Sequence, residues 1–301
     1  QLNPNQSEAI NFYLNLRLRQ TQFQVSVDKL FEEFKALGVN PEDPWLKFNL
    51  SAAALFESVD PFNPQGKKRR EWSTRMLLEA QKDLPNYPGI PLVLAGIALE
   101  NGDRKQALDY TNRVIELSDN YPYNLVSAAR LLIGLNEKER ALKLLEAAAI
   151  RYPENRQIKM TLAMALYDSP RRAEGQQIFE AMRQSKPDDP FVDFNQGLSV
   201  MVYEKNYPQA IVHFKRAKAL YDPQKINFSV NFINNLLSLA YLNNKDYPSA
   251  IPLLKEQLED PLFRRNAYET LALSYDKIDE HTEALQTYQE YLDAYPDMAQ
   301  M

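Results

Sequence analysis

Six small residues, Ala107, Ala141, Gly175, Ala210, Ala250 and Ala284, recur along this chain at intervals of 34, 34, 35, 40 and 34 residues. Chance does not space residues this way. A period of this length marks an architecture whose units are single supersecondary elements, each burying its apolar face only by stacking on its neighbours. This feature constrains the fold more than length does, because 301 residues fit either two average domains or one long array.

Each anchor has similar surroundings. Ala141-Leu142 is followed by Leu145 and Pro153, and Ala210-Ile211 by Phe214 and Pro223; Ala250-Ile251, Ala284-Leu285 and the weaker Gly175 keep the same order. About twelve residues earlier a second small residue sits among bulky ones: Leu162-Ala163 with Leu166, Leu237-Ser238 with Tyr241, and Leu271-Ala272 with Tyr275. Both segments have helical spacing. Short polar turns lie between them, such as Asn101-Gly102-Asp103, Asn136-Glu137-Lys138, Asn206-Tyr207-Pro208 and Lys245-Asp246-Tyr247-Pro248. Pro208 and Pro248 fall in the first turn of the second helix, where a missing amide proton costs nothing. Antiparallel helices approach closely only where small residues face each other, so Ala and Gly act as spacers and larger residues fill the space beside them. A Pro near the end of each unit stops the second helix and turns the chain into the next.

This spacing and residue set resembles the tetratricopeptide repeat family, whose unit has small, aromatic and Pro residues at the same positions. The resemblance covers residues 88–298 and divides into about six repeats, 88–121, 122–155, 156–190, 191–230, 231–264 and 265–298. It implies an all-α fold, a right-handed superhelical solenoid of antiparallel helix pairs. Two departures are visible. Thr111 and Val114 stand where the family prefers an aromatic residue and Ala, and the fourth repeat carries one extra residue before Ala210. The longer step from Ala210 to Ala250 inserts about six residues, 222–228, at the join of two repeats, and reads as a surface loop.

Residues 41–87 read as a degenerate helix pair capping the array, since an end repeat lacks one neighbour. Its first helix is expected near 44–58 and its second near 69–84, with Trp72, Met76 and Ala80, joined by the breaker-rich loop 60–66. Residues 1–40 form a separate N-terminal segment. Leu14, Leu16 and Leu18, then Phe23, Val25 and Val27, alternate as a hairpin would, whereas Val27, Leu30, Phe31, Phe34 and Leu37 follow a helical period. An isolated hairpin is marginal, and its turn Arg19-Gln20-Thr21-Gln22 lacks the favoured residues, so helix is the preferred reading.

Composition excludes several kinds of chemistry. Thirty-five Lys and Arg against forty Asp and Glu give a net charge of −5, which supplies no field for nucleic acid or anionic lipid. There is no cysteine, hence no disulfide, thiolate nucleophile or thiolate metal site. The two histidines, His213 and His281, fall in different repeats and read as surface or half-buried imidazoles. No acidic calcium loop and no Gly-rich phosphate loop occur. Glu137 with Glu139, and Asp188 with Asp189, read as solvated charge. No catalytic residue, metal, cofactor or enzymatic activity is therefore expected. The run Lys67, Lys68, Arg69 and Arg70 is either a contact to an acidic partner or lipid head groups, or the solvated start of a helix; the second reading is favoured.

What the resemblance implies is protein binding. In the family, the concave surface is lined by the first helix of each repeat. The matching positions are Tyr123, Val126, Arg130, Met160, Met164, Tyr167, Asn195, Phe232, Asn235, Leu239, Asn266 and Glu269. Aromatic, Met and Asn residues in a groove suit a peptide or a helix of a partner. A clamp for a C-terminal carboxylate is not assembled, because its positions hold Leu92, Gly96, Val126 and Arg130. The expectation is a protein-protein interaction scaffold or adaptor; the alternative is the docking part of a larger enzyme or of an envelope or polysaccharide-export assembly. The last repeat carries Tyr288 and Tyr291 with no solvating helix after it, which fits a longer natural chain or a homodimer. No apolar run approaches the roughly 18 residues of a membrane span. The absence of Cys and an opening at Gln1, as in a processed product, lean toward a periplasmic or membrane-anchored bacterial envelope protein rather than a cytoplasmic one.

Overall fold

A computed structural model describes residues 27–36, 38–58, 66–118, 121–224 and 229–296. Among these residues there are fifteen α-helices, one π-helical turn and no strand. The chain divides into two compact units, Gln1–Ile158 and Lys159–Met301.

In the first unit α1 (Val27–Ala36) precedes the pair α2 (Pro44–Ser58) and α3 (Gly66–Asp83), followed by α4 (Gly89–Glu100) with α5 (Arg104–Leu117) and α6 (Pro122–Gly134) with α7 (Lys138–Arg151). Each helix packs on the next, and α4 also touches α6. The helical period at the N-terminus holds for α1, whose Val27, Leu30 and Phe34 are buried against Leu46, Leu50 and Ala54 of α2. The alternating residues Leu14, Leu16, Leu18, Phe23 and Val25 lie outside the described residues, as does most of the loop 60–66. Helix α3 begins at Gly66, three residues ahead of the expected start. The four cations therefore form its first turn, where two of them find carboxylates: Arg69 grips both oxygens of Asp28 on α1, and Arg70 meets Glu100 on α4 at 3.3 Å. Ser73 on α3 donates to the Ser51 carbonyl of α2 at 2.9 Å, a contact possible only between small residues.

The boundary between units falls within α8 (Arg156–Tyr167). The second unit continues with α9 (Arg172–Ser185), α10 (Pro190–Ser199) and the π turn Val200–Glu204. It ends with α11 (Tyr207–Ala219), α12 (Asn231–Asn243), α13 (Tyr247–Leu258), α14 (Arg264–Asp276) and α15 (His281–Ala294). From α9 to α15 every helix packs on its successor. One core runs through it, from Met160 and Phe179 past Phe214, Leu237 and Leu254 to Ala284. All six anchors are buried. At Gly175 the packing is close against backbone: a Cβ would stand 2.6 Å from the Ala163 carbonyl oxygen of α8, so a larger residue forces the helices apart.

Local chemistry ends and starts these helices. Asp103, Asp189, Asn206 and Asp246 accept hydrogen bonds from the first-turn amides of α5, α10, α11 and α13. Five residues before five of the anchors, Gly102, Asn136, Lys205, Lys245 and Asp279 have φ between +52° and +76°, the left-handed conformation that closes a first helix before the turn. Before Gly175 that position is Pro170, whose ring forbids positive φ, and the turn closes instead through the Ser169 hydroxyl, which donates to Leu166 O and accepts from Arg171 N.

Candidate functional site

A face able to take a partner needs side chains that packing leaves exposed, and the helices divide that role unevenly. Four of the first helices are almost free of charge: α4 carries only Glu100, α6 only Arg130, α10 only Asp193, and α12, with sequence NFINNLLSLAYLN, none. Charge is denser elsewhere, as in α7 with Lys138, Glu139, Arg140, Lys143, Glu146 and Arg151, and among first helices in α8 with Arg156 and Lys159 and in α14 with Arg264, Arg265, Glu269 and Asp276. The four helices α4, α6, α10 and α12 are thus apolar around much of their circumference, with buried faces in the core and the rest offering apolar and amide groups.

In the second unit, Asn235, Leu239 and Asn266 come together with Ser238, Leu242 and Thr270 around a hollow of about 70 Å³ between α12 and α14, floored by Leu254 and Gln257 of α13. Leu239 is 41% exposed. Phe232 lies two turns earlier on α12, 41% exposed and edge-on to Phe263 at 5.1 Å. Glu269 is exposed and engaged within the chain, accepting the Tyr291 hydroxyl at 2.6 Å. Asn195 is half-buried, its amide donating to Phe191 O at 2.7 Å, and Met164 is half-buried against the core.

In the first unit, Arg130 borders a shallow hollow of about 300 Å³ lined by Leu92 and Leu99 of α4 and Ser127 and Leu131 of α6. Tyr123, on the first turn of α6, is 70% exposed.

Three expected partner residues are corrected by the structure. Val126 is 1%, Met160 4% and Tyr167 0% exposed, so all three belong to the core. The reason is rotational: consecutive residues on a helix differ by about 100°, and α8 buries nearly its whole circumference, from Ile158 to Tyr167. Tyr167 packs edge-to-face on Phe179 at 5.7 Å, its hydroxyl buried without a hydrogen-bond partner. Burial pushes that hydroxyl's proton affinity up, and the nearby Gln196 and Gln176 amides draw it partly back. Ser238 and Thr270 of the α12–α14 hollow, and Leu99 and Leu131 of the α4–α6 hollow, were missed by the sequence reading. Ser238 and Thr270 lie one helical turn after Asn235 and Asn266, which is the signal that finds them, and Leu131 directly follows Arg130.

The histidines stay apart, His213 half-buried beside Asp193 and His281 exposed beside Asp276 at 3.3 Å. Among the described residues no group of three His, Asp or Glu is placed to hold a metal ion, and no helix is long and apolar enough to cross a membrane. Of the basic run, Arg69 and Arg70 are spent within the chain, and the Arg69 hydrogen bonds hold the Asp28 carboxyl below its usual range.

A family model, the tetratricopeptide repeat, matches residues 126–190 and 235–299. No curated protein matches the sequence. Among solved structures, yeast Tom70 aligns with a TM-score of 0.67 at 18% identity, over 88% of this chain; the chain spans 54% of that protein's length. A tetratricopeptide repeat protein from Parabacteroides merdae aligns at 0.51 and 14% identity over 81% of this chain and 92% of its own. A monomeric mutant of IFIT1 with Gppp-AAAA aligns at 0.55 and 15% over 98% and 70%. At such identities the likeness concerns the fold.

Proposed function

The chain belongs to the tetratricopeptide repeat family, and from that premise we propose that it is a protein-interaction scaffold whose partner is a peptide or helix bound on the exposed face of its first helices. The observation that carries the reading is the uncharged hollow where Asn235, Leu239 and Asn266 converge. Leu239 and Phe232 supply apolar contact, and the two side-chain amides supply one donor pair and one acceptor each, which matches the repeating N–H and C=O of a peptide backbone. Because α12 carries no charge, the face selects against charged segments by desolvation and favours apolar and uncharged polar ones. The Arg130 hollow on α4 and α6 is a second contact surface within its own unit, able to pair one carboxylate.

The test is selection from a displayed peptide library on the purified chain, followed by affinity measurement with Leu239→Glu and Asn235→Ala variants whose helicity is first matched by circular dichroism. Selected sequences should be poor in charge and should lose at least about tenfold in affinity with either variant, the loss of one buried contact. Binding that is indifferent to both variants removes this face from consideration.

A further inference from the structure

The second unit encloses a charge cluster for which the interaction reading has no use. Asp193 on α10 is 1% exposed. Its Oδ1 accepts a hydrogen bond from Nη2 of Arg183 on α9 at 3.0 Å and lies 3.1 Å from Nδ1 of His213 on α11. Its Oδ2 pairs ionically with Nε of Arg216, also on α11, at 3.1 Å and makes no hydrogen bond. Arg183 reaches further, to Glu180 on its own helix at 2.6 Å and to the Gln196 amide oxygen on α10. One carboxylate therefore joins three successive helices. Gly197 sets how closely they meet, since a Cβ there would stand 3.0 Å from that of His213 and 2.9 Å from the Phe214 ring. The other cations of α11 turn elsewhere, Lys215 over the Tyr241 ring and Lys218 to Glu256.

The charge balance makes the joint asymmetric. Asp193 and Glu180 face Arg183, Arg216 and the His213 imidazole. The Arg183 side chain is only 14% exposed and Glu180 is 54% exposed, so water screens Glu180 and leaves Arg183 dependent on Asp193. Neutralising Asp193 strands a guanidinium in the interior, which costs far more than removing both partners together. Burial pushes the Asp193 carboxyl up, but the His213 hydrogen bond and the two guanidiniums outweigh it and hold the group below the usual carboxylate range. A carboxylate depressed in this way stabilises the fold above its unfolded value, about 3.9, and the contribution is lost as pH falls through the lower folded value.

We propose that this cluster is an acid-labile joint: protonation of Asp193 frees α9 from α10 and α11 while α13 to α15 remain folded. The test is hydrogen exchange, resolved by helix and corrected for intrinsic rates, on the full chain and on Asp193→Asn. At pH 7 the variant should exchange in α9, α10 and α11 about 100-fold faster than the parent, with α13 to α15 changed less than about threefold. The parent should approach that pattern as pH falls below about 4. Adding Arg183→Gln to Asp193→Asn should recover protection by about tenfold, because the stranded charge is gone. Uniform loss across all helices, an acid profile shared by parent and variant, or a double variant no better than the single one each overturns the proposal. If Asp193→Asn does not fold, the acid series on the parent decides alone: exchange confined to α9–α11 supports the joint, and uniform exchange refutes it.

Discussion

The same substitution, Gly to Ala, should act with opposite sign at two positions of this chain. At Gly175 the added methyl would sit 2.6 Å from the Ala163 carbonyl oxygen, about 0.8 Å inside ordinary contact, with Tyr167 Cδ2 at 3.1 Å and Leu166 Cβ at 3.2 Å close by. The carbonyl is backbone, held in the hydrogen-bond ladder of α8, so it cannot swing away; the helices must separate. Overpacking of this kind costs about 1–3 kcal/mol. Ala gains about 1 kcal/mol over Gly in a helix interior, which leaves a net loss of up to about 2 kcal/mol. At Gly96 in α4 nothing lies within 4 Å of the added methyl, so only the propensity gain remains, about 1 kcal/mol of stabilisation. For units of this size each kcal/mol moves the melting temperature by about 2–4 °C. Urea denaturation followed by circular dichroism, with calorimetry, measures both. A Gly175→Ala variant more stable than the parent would show that α8 and α9 do not meet as described, and a destabilised Gly96→Ala variant would show that its surroundings are not open.

Other consequences follow from individual contacts. Phe214→Ala, emptying a fully buried site, should cost about 3–5 kcal/mol, whereas Leu285→Ala, at 71% exposed, should stay within about 0.5 kcal/mol in the same denaturation assay. Tyr167→Phe should be neutral or slightly stabilising, because the hydroxyl it removes has no partner. It should also flatten the alkaline limb of the stability profile: a tyrosine raised in the folded state stabilises fully below about pH 10 and loses that contribution as pH rises through its folded value. Lys245→Gly should raise stability by about 0.5–1 kcal/mol, since Lys245 holds φ at 61° and Gly takes that conformation without strain. A loss there would mean that the Lys side chain makes a contact outweighing the strain.

The spacing of the anchors was enough to place the helix pairs, because a small residue at a fixed axial position is a requirement of close packing that each repeat must meet separately. The turns were equally readable where the residue carries its own conformational preference, as Gly102 and Asn136 do, and Pro208 and Pro248 at helix starts. Lys205 and Lys245 adopt the same left-handed conformation without any such preference, and only their place five residues before an anchor identifies them.

What the amino-acid order determined is therefore axial: the period, the two helices of each pair and the residue at their closest approach. What the tertiary structure alone decided is azimuthal. Val126, Met160 and Tyr167 sit at positions that face outward if a repeat is taken one residue out of register, and their burial is settled by neighbours on other helices. Asp193 is the sharper case. Its role depends on Arg183 ten residues before it and His213 and Arg216 some twenty after, brought together by packing. A helix period reports which residues share a stripe, but the energy of burying a charge depends on what stands opposite, and only the folded chain supplies that.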